Sequence, residues 1–216
     1  MNTPFTTEQF FEVFRNYNLS VFPVQFIFYI PALLVIYFIF KQTSSADKII
    51  STVLSVLWLW MGIVYHLLFF TEINKAAYIF GFLFIIQGII FFISGVLRND
   101  LSFKFTPDKF GFIGAWIIFY ALIVYPVLGY ILEHRFPDSP TFGLPCPTVI
   151  FTFGVLMFTN KKCPYVILII PFIWSIIGFT AVSNFGIIED TGLLISGLAA
   201  IIMILNKNKI FIKVHV

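Results

Sequence analysis

The stretch YPVLGYILEHRFPDSPTFGLPCPTVIFTFGVLMF, residues 125–158, decides how this chain must fold. Its two ends are apolar, whereas its middle holds the densest group of chemically versatile side chains in the sequence: Glu133, His134, Asp138 and Cys146. Four prolines lie between residues 137 and 147. Proline lacks the N–H group that a helix interior needs and clashes with the preceding turn. The stretch therefore predicts one helix, a broken segment and a second helix.

The composition around this stretch indicates an all-α integral membrane protein. About 60% of the 216 residues are hydrophobic and only 11% are charged. A water-soluble domain of this size would have too little polar surface. The apolar residues form runs of about 15–23, which matches a hydrocarbon core of roughly 30 Å. The lipid bilayer is the expected partner, and the net charge of +3 gives no reason to expect nucleic acid.

Seven spans are predicted within a single membrane domain covering residues 1–216. Their approximate bounds are 21–40, 49–70, 76–97, 110–132, 147–160, 164–182 and 191–205. Residues 5–18 precede them and predict a short amphipathic helix in the membrane interface, because Thr6 and Gln9 fit a capping box and Phe10, Phe14 and Tyr17 recur at helical spacing. We expect no cleavable signal peptide, because the N-terminal residues lack a basic region followed by an apolar one.

The distribution of basic residues predicts the orientation. The N-terminus and the even-numbered loops carry three Lys or Arg residues: Arg15, Lys75 and Arg135. The odd-numbered loops and the C-terminus carry the other ten: Lys41, Lys48, Arg98, Lys104, Lys109, Lys161, Lys162, Lys207, Lys209 and Lys213. Loops rich in Lys and Arg remain in the cytoplasm. The N-terminus is therefore expected outside and the C-terminus inside.

Span five is unusually short. Residues Pro147–Asn160 would extend only about 21 Å as a helix. We expect Thr141–Cys146 to run non-helically within the outer leaflet. Such backbone is tolerated at membrane depth where it is buried in protein or lines a watery cavity. The sequence therefore predicts a polar pocket on the extracytoplasmic side, walled by the outer ends of spans two and four, the broken segment and the N-terminal helix.

Several polar side chains are expected near this pocket. The binding candidates are Tyr65, Glu72, Asn74, Gln87 and Cys146, and the catalytic candidates are His66, His134, Glu133 and Asp138. Gln87 is near the middle of span three, where it would bond to a neighbouring helix or contact a substrate. Glu189 and Asp190 precede span seven and are interpreted as charges that cap a helix N-terminus.

Two kinds of chemistry fit these candidates. His66 and His134, with carboxylates, could bind Zn, which would activate water. Without a metal, His134 could act as a general base or acid with Glu133 or Asp138. Cys146 lies between two prolines and is interpreted as a packed residue rather than a nucleophile. His215, at the C-terminus, is not expected to contribute. No HExxH, CxxC or GxSxG motif is present.

Three stretches resemble an uncharacterised family of small multi-pass prokaryotic membrane proteins, a domain of unknown function. They are PFTTEQFFEVFRNYN (residues 4–18), MGIVYHLLFFTEINKAAYIFGFLFIIQG (61–88) and YPVLGYILEHRFPDSPTFGLPCPTVIFTFG (125–154). The segment PTFGLPCPT, residues 140–148, is the most specific part. The resemblance implies a prokaryotic inner membrane and no further domain. It brings no activity and no functional residue.

Three classes of function remain open. The leading one is binding or transport of a small solute or lipid-like ligand in the polar pocket. The second is a metal-dependent membrane hydrolase that uses His66 and His134 with carboxylates. The third is a structural or accessory subunit, in which the histidines only pack. The sequence leans away from an enzyme and leaves the oligomeric state undetermined.

Overall fold

The structure is a computed structural model that describes residues 4–214, with side chains described through residue 211. His215 lies outside the described residues. Within them the fold is all-helical. The helices are α1 (Thr7–Ser20), α2 (Val24–Ile27), α3 (Tyr29–Phe40), α4 (Ala46–Trp60), α5 (Ala77–Phe91), α6 (Lys109–Phe119), α7 (Tyr125–Ile131), α8 (Pro145–Leu156), α9 (Val166–Phe185) and α10 (Thr191–Val214).

Several of these helices are extended by π-helical or 3₁₀ segments. We call each such continuous run of helical residues a rod. In the described region, five continuous rods are long and apolar enough to cross a membrane: Ala46–Glu72, Ala77–Leu97, Lys109–Ile131, Val166–Phe185 and Ile188–Phe211. A sixth would be the pair Thr7–Ser20 and Val24–Phe40, which is bent by 80°. Helix α8 is shorter. The prediction of an apolar helical bundle is therefore confirmed, at five or six candidate spans.

Helix α1 forms as its sequence predicts, two residues later than expected. The Thr6 hydroxyl accepts from the Gln9 backbone N–H, and the Gln9 side chain accepts from the Thr6 N–H at 2.9 Å, which completes the capping box. The apolar face of α1 is buried against the bundle through Phe10, Phe14 and Tyr17. Two hydrophobic clusters result: a small one under α1 and a large one that fills the bundle.

The connections gather at two ends of the bundle. At one end, which we call the lysine-rich end, Lys104 N–H donates to the Phe158 carbonyl at 2.8 Å and Asn160 N–H to the Ser102 carbonyl at 2.9 Å. Lys207 also donates to the Met157 carbonyl at this end, at 3.1 Å. Gln42 of the first loop donates to the Phe103 carbonyl at 2.8 Å, so the first, third and fifth loops and the end of α10 lie at the same end of the bundle. This is the alternation that the Lys and Arg pattern predicts.

The opposite end, the α1 end, is held together by contacts from α1 to the loop after α7. The Arg15 guanidinium makes two hydrogen bonds of 2.7 Å to the Asp138 carboxylate, which raise the pKa of Arg15. Asn18 donates to the carbonyls of Pro137 and Ser139 at 2.6 and 2.8 Å. Helix α1 is thereby tethered over this end of the bundle.

Helix α8 is the central helix, and its bounds differ from the predicted span. It begins at Pro145 rather than Pro147 and ends at Leu156 rather than Asn160. The expectation that Pro145 and Cys146 are non-helical is wrong, because the first turn of a helix has no intrahelical acceptors for its N–H groups, so prolines fit there. Every residue from 147 to 159 is buried. The helix can be short because protein surrounds it.

Candidate functional site: two cavities beside a buried acidic pair

Two consecutive carboxylates, Glu189 and Asp190, lie inside the α1 end of the bundle. They form the turn that leads into α10, and their exposed fractions are 0% and 1%. The interpretation of this pair as simple helix-capping charges is therefore incomplete. Charged side chains are rarely buried so deeply unless they are paired. The partner of Asp190 lies in the continuous helix Lys109–Ile131, and the partner of Glu189 lies just after its end.

His134 is the partner of Glu189. Its Nδ1 lies 2.9 Å from the Glu189 Oε1, with the two side chains 14% and 0% exposed. The backbone places the imidazole there: α7 ends with Glu133 in the left-handed region at φ 67°, and the His134 N–H then turns back to donate to the Gly129 carbonyl at 2.8 Å. The Tyr120 hydroxyl donates to the Glu189 carbonyl at 2.7 Å, which fixes the turn.

Tyr125 is the partner of Asp190. Its buried hydroxyl donates to Asp190 Oδ1 at 2.6 Å. The Cys146 thiol, in the first turn of α8, also interacts with this carboxylate. The thiol and the Trp174 indole nitrogen both lie close to Gly178, at 3.5 and 3.3 Å from the position where a Cβ on that glycine would stand. Asp190 is thus surrounded by donors rather than by cations.

The first of two cavities opens beside Asp190 and Cys146, and we call it the aromatic cavity. Its volume is about 300 Å³. Helix α1, the far end of the α4 rod, α9 and the segment before α8 supply its walls. Its lining residues include Phe10, Phe14, Tyr65, Phe70, Leu144, Cys146, Trp174, Ala181, Phe185 and Asp190. The walls of this cavity are mainly apolar, although the predicted outer end of span two, broken segment and N-terminal helix all contribute to them.

The second cavity lies on the other side of the acidic pair, and we call it the Glu189 cavity. Its volume is about 190 Å³. One wall is the predicted outer end of span four, with Tyr125, Gly129 and His134. The facing wall is Gln25 and Tyr29 together with the non-helical residues 139–142. Pro140 lines both cavities.

His66 lies apart from this acidic pair. It is in a π-helical segment, Met61–Phe69, and is fully buried among aromatic rings, with centroids 4.6 Å from Phe84 and 5.1 Å from Trp174. Neither of its ring nitrogens has a hydrogen-bond partner within residues 4–214. Of the two histidines proposed as zinc ligands, one is therefore packed among aromatic rings and the other is paired with Glu189.

The structure does not assemble the donor set of the predicted zinc site. In the part of the chain that it describes, no three His, Cys, Asp or Glu side chains form a group that could hold a metal ion. The predicted acid–base pair of His134 with Glu133 or Asp138 is also not formed. Glu133 pairs with Arg135 at 2.9 Å and Asp138 with Arg15 at 2.7 Å, both on the surface. Glu189 takes their place.

The remaining candidates have separate surroundings. Tyr65 and Asn74 line the aromatic cavity as expected, whereas Glu72 is exposed and does not. Gln87 is fully buried and donates from Nε2 to the Ile167 carbonyl of α9 at 3.1 Å. Of the two roles predicted for Gln87, the structure therefore shows the bond to a neighbouring helix. Cys146 lines the cavity and, like Cys163, is a free thiol.

Sequence analysis did not identify Tyr125 and Trp174 as site residues, and it interpreted Glu189 and Asp190 only as helix-capping charges. One signal could have found the acidic pair. Ionisable residues that enter a membrane segment are usually functional by default, and Ile188–Phe211 is such a segment. Tyr125 and Trp174 give no comparable signal, because aromatic residues are common throughout this chain.

A model of a family of unknown function, DUF6064, matches residues 7–213. The chain belongs to the DUF6064 family. This confirms the resemblance to an uncharacterised family of unknown function. No curated protein and no solved structure matches the chain.

Proposed function

We propose that this DUF6064 protein binds a small amphiphilic molecule in the aromatic cavity, as a solute-binding or transport protein of a prokaryotic inner membrane. The observation that carries the proposal is a cavity of about 300 Å³ with apolar walls and a buried carboxylate, Asp190, at one side. Ligand pockets typically combine mostly apolar lining with a few placed polar groups. The apolar body of the ligand would lie against Phe10, Phe14 and Phe70.

The polar end of the ligand would face Asp190 and Cys146. Tyr125 already bonds to one oxygen of Asp190, and no Lys or Arg of the described residues forms an ion pair with this carboxylate. A buried charge without a cationic partner is costly. A ligand that donates a hydrogen bond there would lower that cost. The alternative of a hydrolase has no comparable support, because His66 packs against the aromatic rings of Phe84 and Trp174 and His134 is paired with Glu189.

Binding can be tested with a fluorescent apolar amine of suitable size, 1-aminoanthracene, titrated into protein in nanodiscs. The Ala181→Phe variant would fill the cavity, because Ala181 lines it from α9. Val166→Phe is the matched control, because Val166 is on the same helix and is 46% exposed on the outer surface. We expect saturable binding to the wild type and the control, and at least about tenfold weaker binding to Ala181→Phe. The same affinity for the probe in all three proteins, or no saturable binding to the wild type, would reject the proposal.

We also propose that the chain crosses the membrane seven times, with the α1 end outside. The alternation of Lys and Arg between loops supports this, together with the gathering of the odd loops at the lysine-rich end. In this arrangement α2 and α3 form one crossing and α8 contributes another within the bundle. The aromatic cavity would then be on the extracytoplasmic side.

The orientation can be tested by cysteine labelling in spheroplasts, after Cys146 and Cys163 have been changed to Ser. A membrane-impermeant maleimide should label Arg135→Cys, an exposed position at the α1 end. It should not label Lys161→Cys, an exposed position at the lysine-rich end, until the membrane is permeabilised. The reverse pattern would invert the proposed orientation.

A further inference from the structure

The Glu189 cavity contains two acceptors that lack donors. Gln25 is 1% exposed, and its Nε2 donates to the Asn18 carbonyl at 3.0 Å, which leaves its Oε1 as a free acceptor. Neither this oxygen nor Oε2 of Glu189 has a hydrogen-bond partner among residues 4–214. Both side chains line the same cavity, although they come from opposite ends of the sequence. Buried acceptors without partners are rare and call for an explanation.

The charges around this cavity are unequal in number. Glu189 and Asp190 are consecutive buried carboxylates, whereas His134 is the one basic side chain in contact with the pair in the described structure. Arg135 also lines the cavity, but its guanidinium pairs with Glu133 at 2.9 Å and lies over the Tyr130 ring, 4.8 Å from the centroid. Leaving a buried carboxylate uncompensated is costly.

The backbone of the cavity wall adds further oxygen atoms. Residues 139–142 run without helix between α7 and α8 and line the cavity. Where membrane helices are interrupted, unwound backbone carbonyls commonly coordinate Na⁺. Carboxylate, amide and carbonyl oxygens are the ligands that hard cations prefer. The cavity offers one carboxylate, that of Glu189, and His134 already contacts it. This suits a monovalent ion better than a divalent ion, which is typically coordinated by several carboxylates.

We infer that the Glu189 cavity is a binding site for a small monovalent cation, held by Glu189 Oε2, Gln25 Oε1 and the backbone of residues 139–142. The site is separate from the aromatic cavity and does not depend on its ligand. The two cavities share Pro140 and are joined by the peptide bond between Glu189 and Asp190, which would let a cation in one cavity fix the carboxylate that faces the other.

The inference can be tested by isothermal titration calorimetry of Na⁺ into nanodisc protein kept in N-methylglucamine chloride at constant ionic strength and without amphiphile. Saturable binding to the wild type is expected. Glu189→Gln removes the carboxylate and Gln25→Met removes the amide oxygen at similar volume. Each should weaken binding by about tenfold or more, because hydrogen bonds and contacts to a charged group are worth more than neutral ones.

The matched control is Glu72→Gln, which removes an exposed carboxylate that lines neither cavity. Its affinity for Na⁺ should equal that of the wild type. The inference would be overturned if the wild type gave no heat of binding with Na⁺ or K⁺. It would also be overturned if Gln25→Met bound Na⁺ with the affinity of the wild type, and the cavity would then be a water-filled space. If Glu189→Gln fails to fold, the Gln25→Met result decides alone. Failure here would leave the 1-aminoanthracene result unaffected.

Discussion

Replacing His134 by Ala should destabilise the protein mainly through Glu189. The His134 Nδ1 lies 2.9 Å from Glu189 Oε1, and the Glu189 side chain is completely buried. Removing one partner of a buried ion pair typically costs about 3–5 kcal/mol, because the other charge stays buried without compensation. The His134 side chain is 14% exposed, so water entering the vacated space would offset part of that cost, and we expect about 3 kcal/mol.

A double-mutant cycle separates this effect from lost packing. In the Glu189→Gln background the buried group is neutral, so the further change of His134 to Ala should cost only about 1 kcal/mol, the value of one ordinary hydrogen bond. The predicted coupling is therefore about 2 kcal/mol. Unfolding by dodecyl sulfate in mixed micelles, followed by circular dichroism, gives the free energies.

Arg135→Ala is the control for this cycle. Its guanidinium pairs with Glu133 on the surface, where the two side chains are 53% and 74% exposed, and surface pairs of this kind contribute about 0–1 kcal/mol. If His134→Ala costs the same in both backgrounds, or no more than Arg135→Ala, then the burial of Glu189 does not depend on His134 and the reasoning is refuted.

Three further changes test the local geometry by the same unfolding assay. Gly143→Ala should lower the free energy of unfolding by about 1–3 kcal/mol, because its φ of 101° disfavours a side chain and a Cβ would stand 2.5 Å from the Phe28 ring. An unchanged stability would contradict this backbone path. Glu133→Gly should stabilise the protein by about 1 kcal/mol, because Glu133 has φ 67° at a helix end, where glycine is favoured. A loss of stability would show that its ion pair with Arg135 outweighs the backbone strain. Gln87→Leu should change stability by no more than about 1 kcal/mol, because one interhelical hydrogen bond to the Ile167 carbonyl contributes little in a membrane. A loss of stability above about 3 kcal/mol would show that Gln87 contributes more than this one hydrogen bond.

Much of the architecture follows from local patterns. The capping box at Thr6 and the spacing of Phe10, Phe14 and Tyr17 predicted α1 and its buried face, because both signals depend on neighbouring residues only. The alternation of Lys and Arg predicted which loops share an end. The bounds of α8 were not predictable in the same way, because its length is set by the protein that surrounds it and not by lipid.

The candidate site was predicted only in outline. Sequence reasoning placed reactive side chains at one end of the bundle but paired His134 with neighbours in sequence, Glu133 and Asp138. The actual partner, Glu189, is 55 residues away and reaches His134 only because α7 and α10 meet at this end. Long-range pairing of this kind depends on how helices pack, which the spacing within a single segment does not encode. His66, the other histidine proposed as a zinc ligand, is buried, but its neighbours are aromatic rings.

The central claim, that a ligand occupies the aromatic cavity, is tested most directly at the thiol of Cys146, which lines the cavity and touches Asp190. In a Cys163→Ser background, Cys146 is the one cysteine left in the chain. Its rate of alkylation by N-ethylmaleimide can be followed by mass spectrometry with and without 1-aminoanthracene. We expect saturating probe to slow alkylation about tenfold or more, with a half-maximal effect at the fluorescence Kd. An alkylation rate that stays the same at saturating probe would contradict the claim.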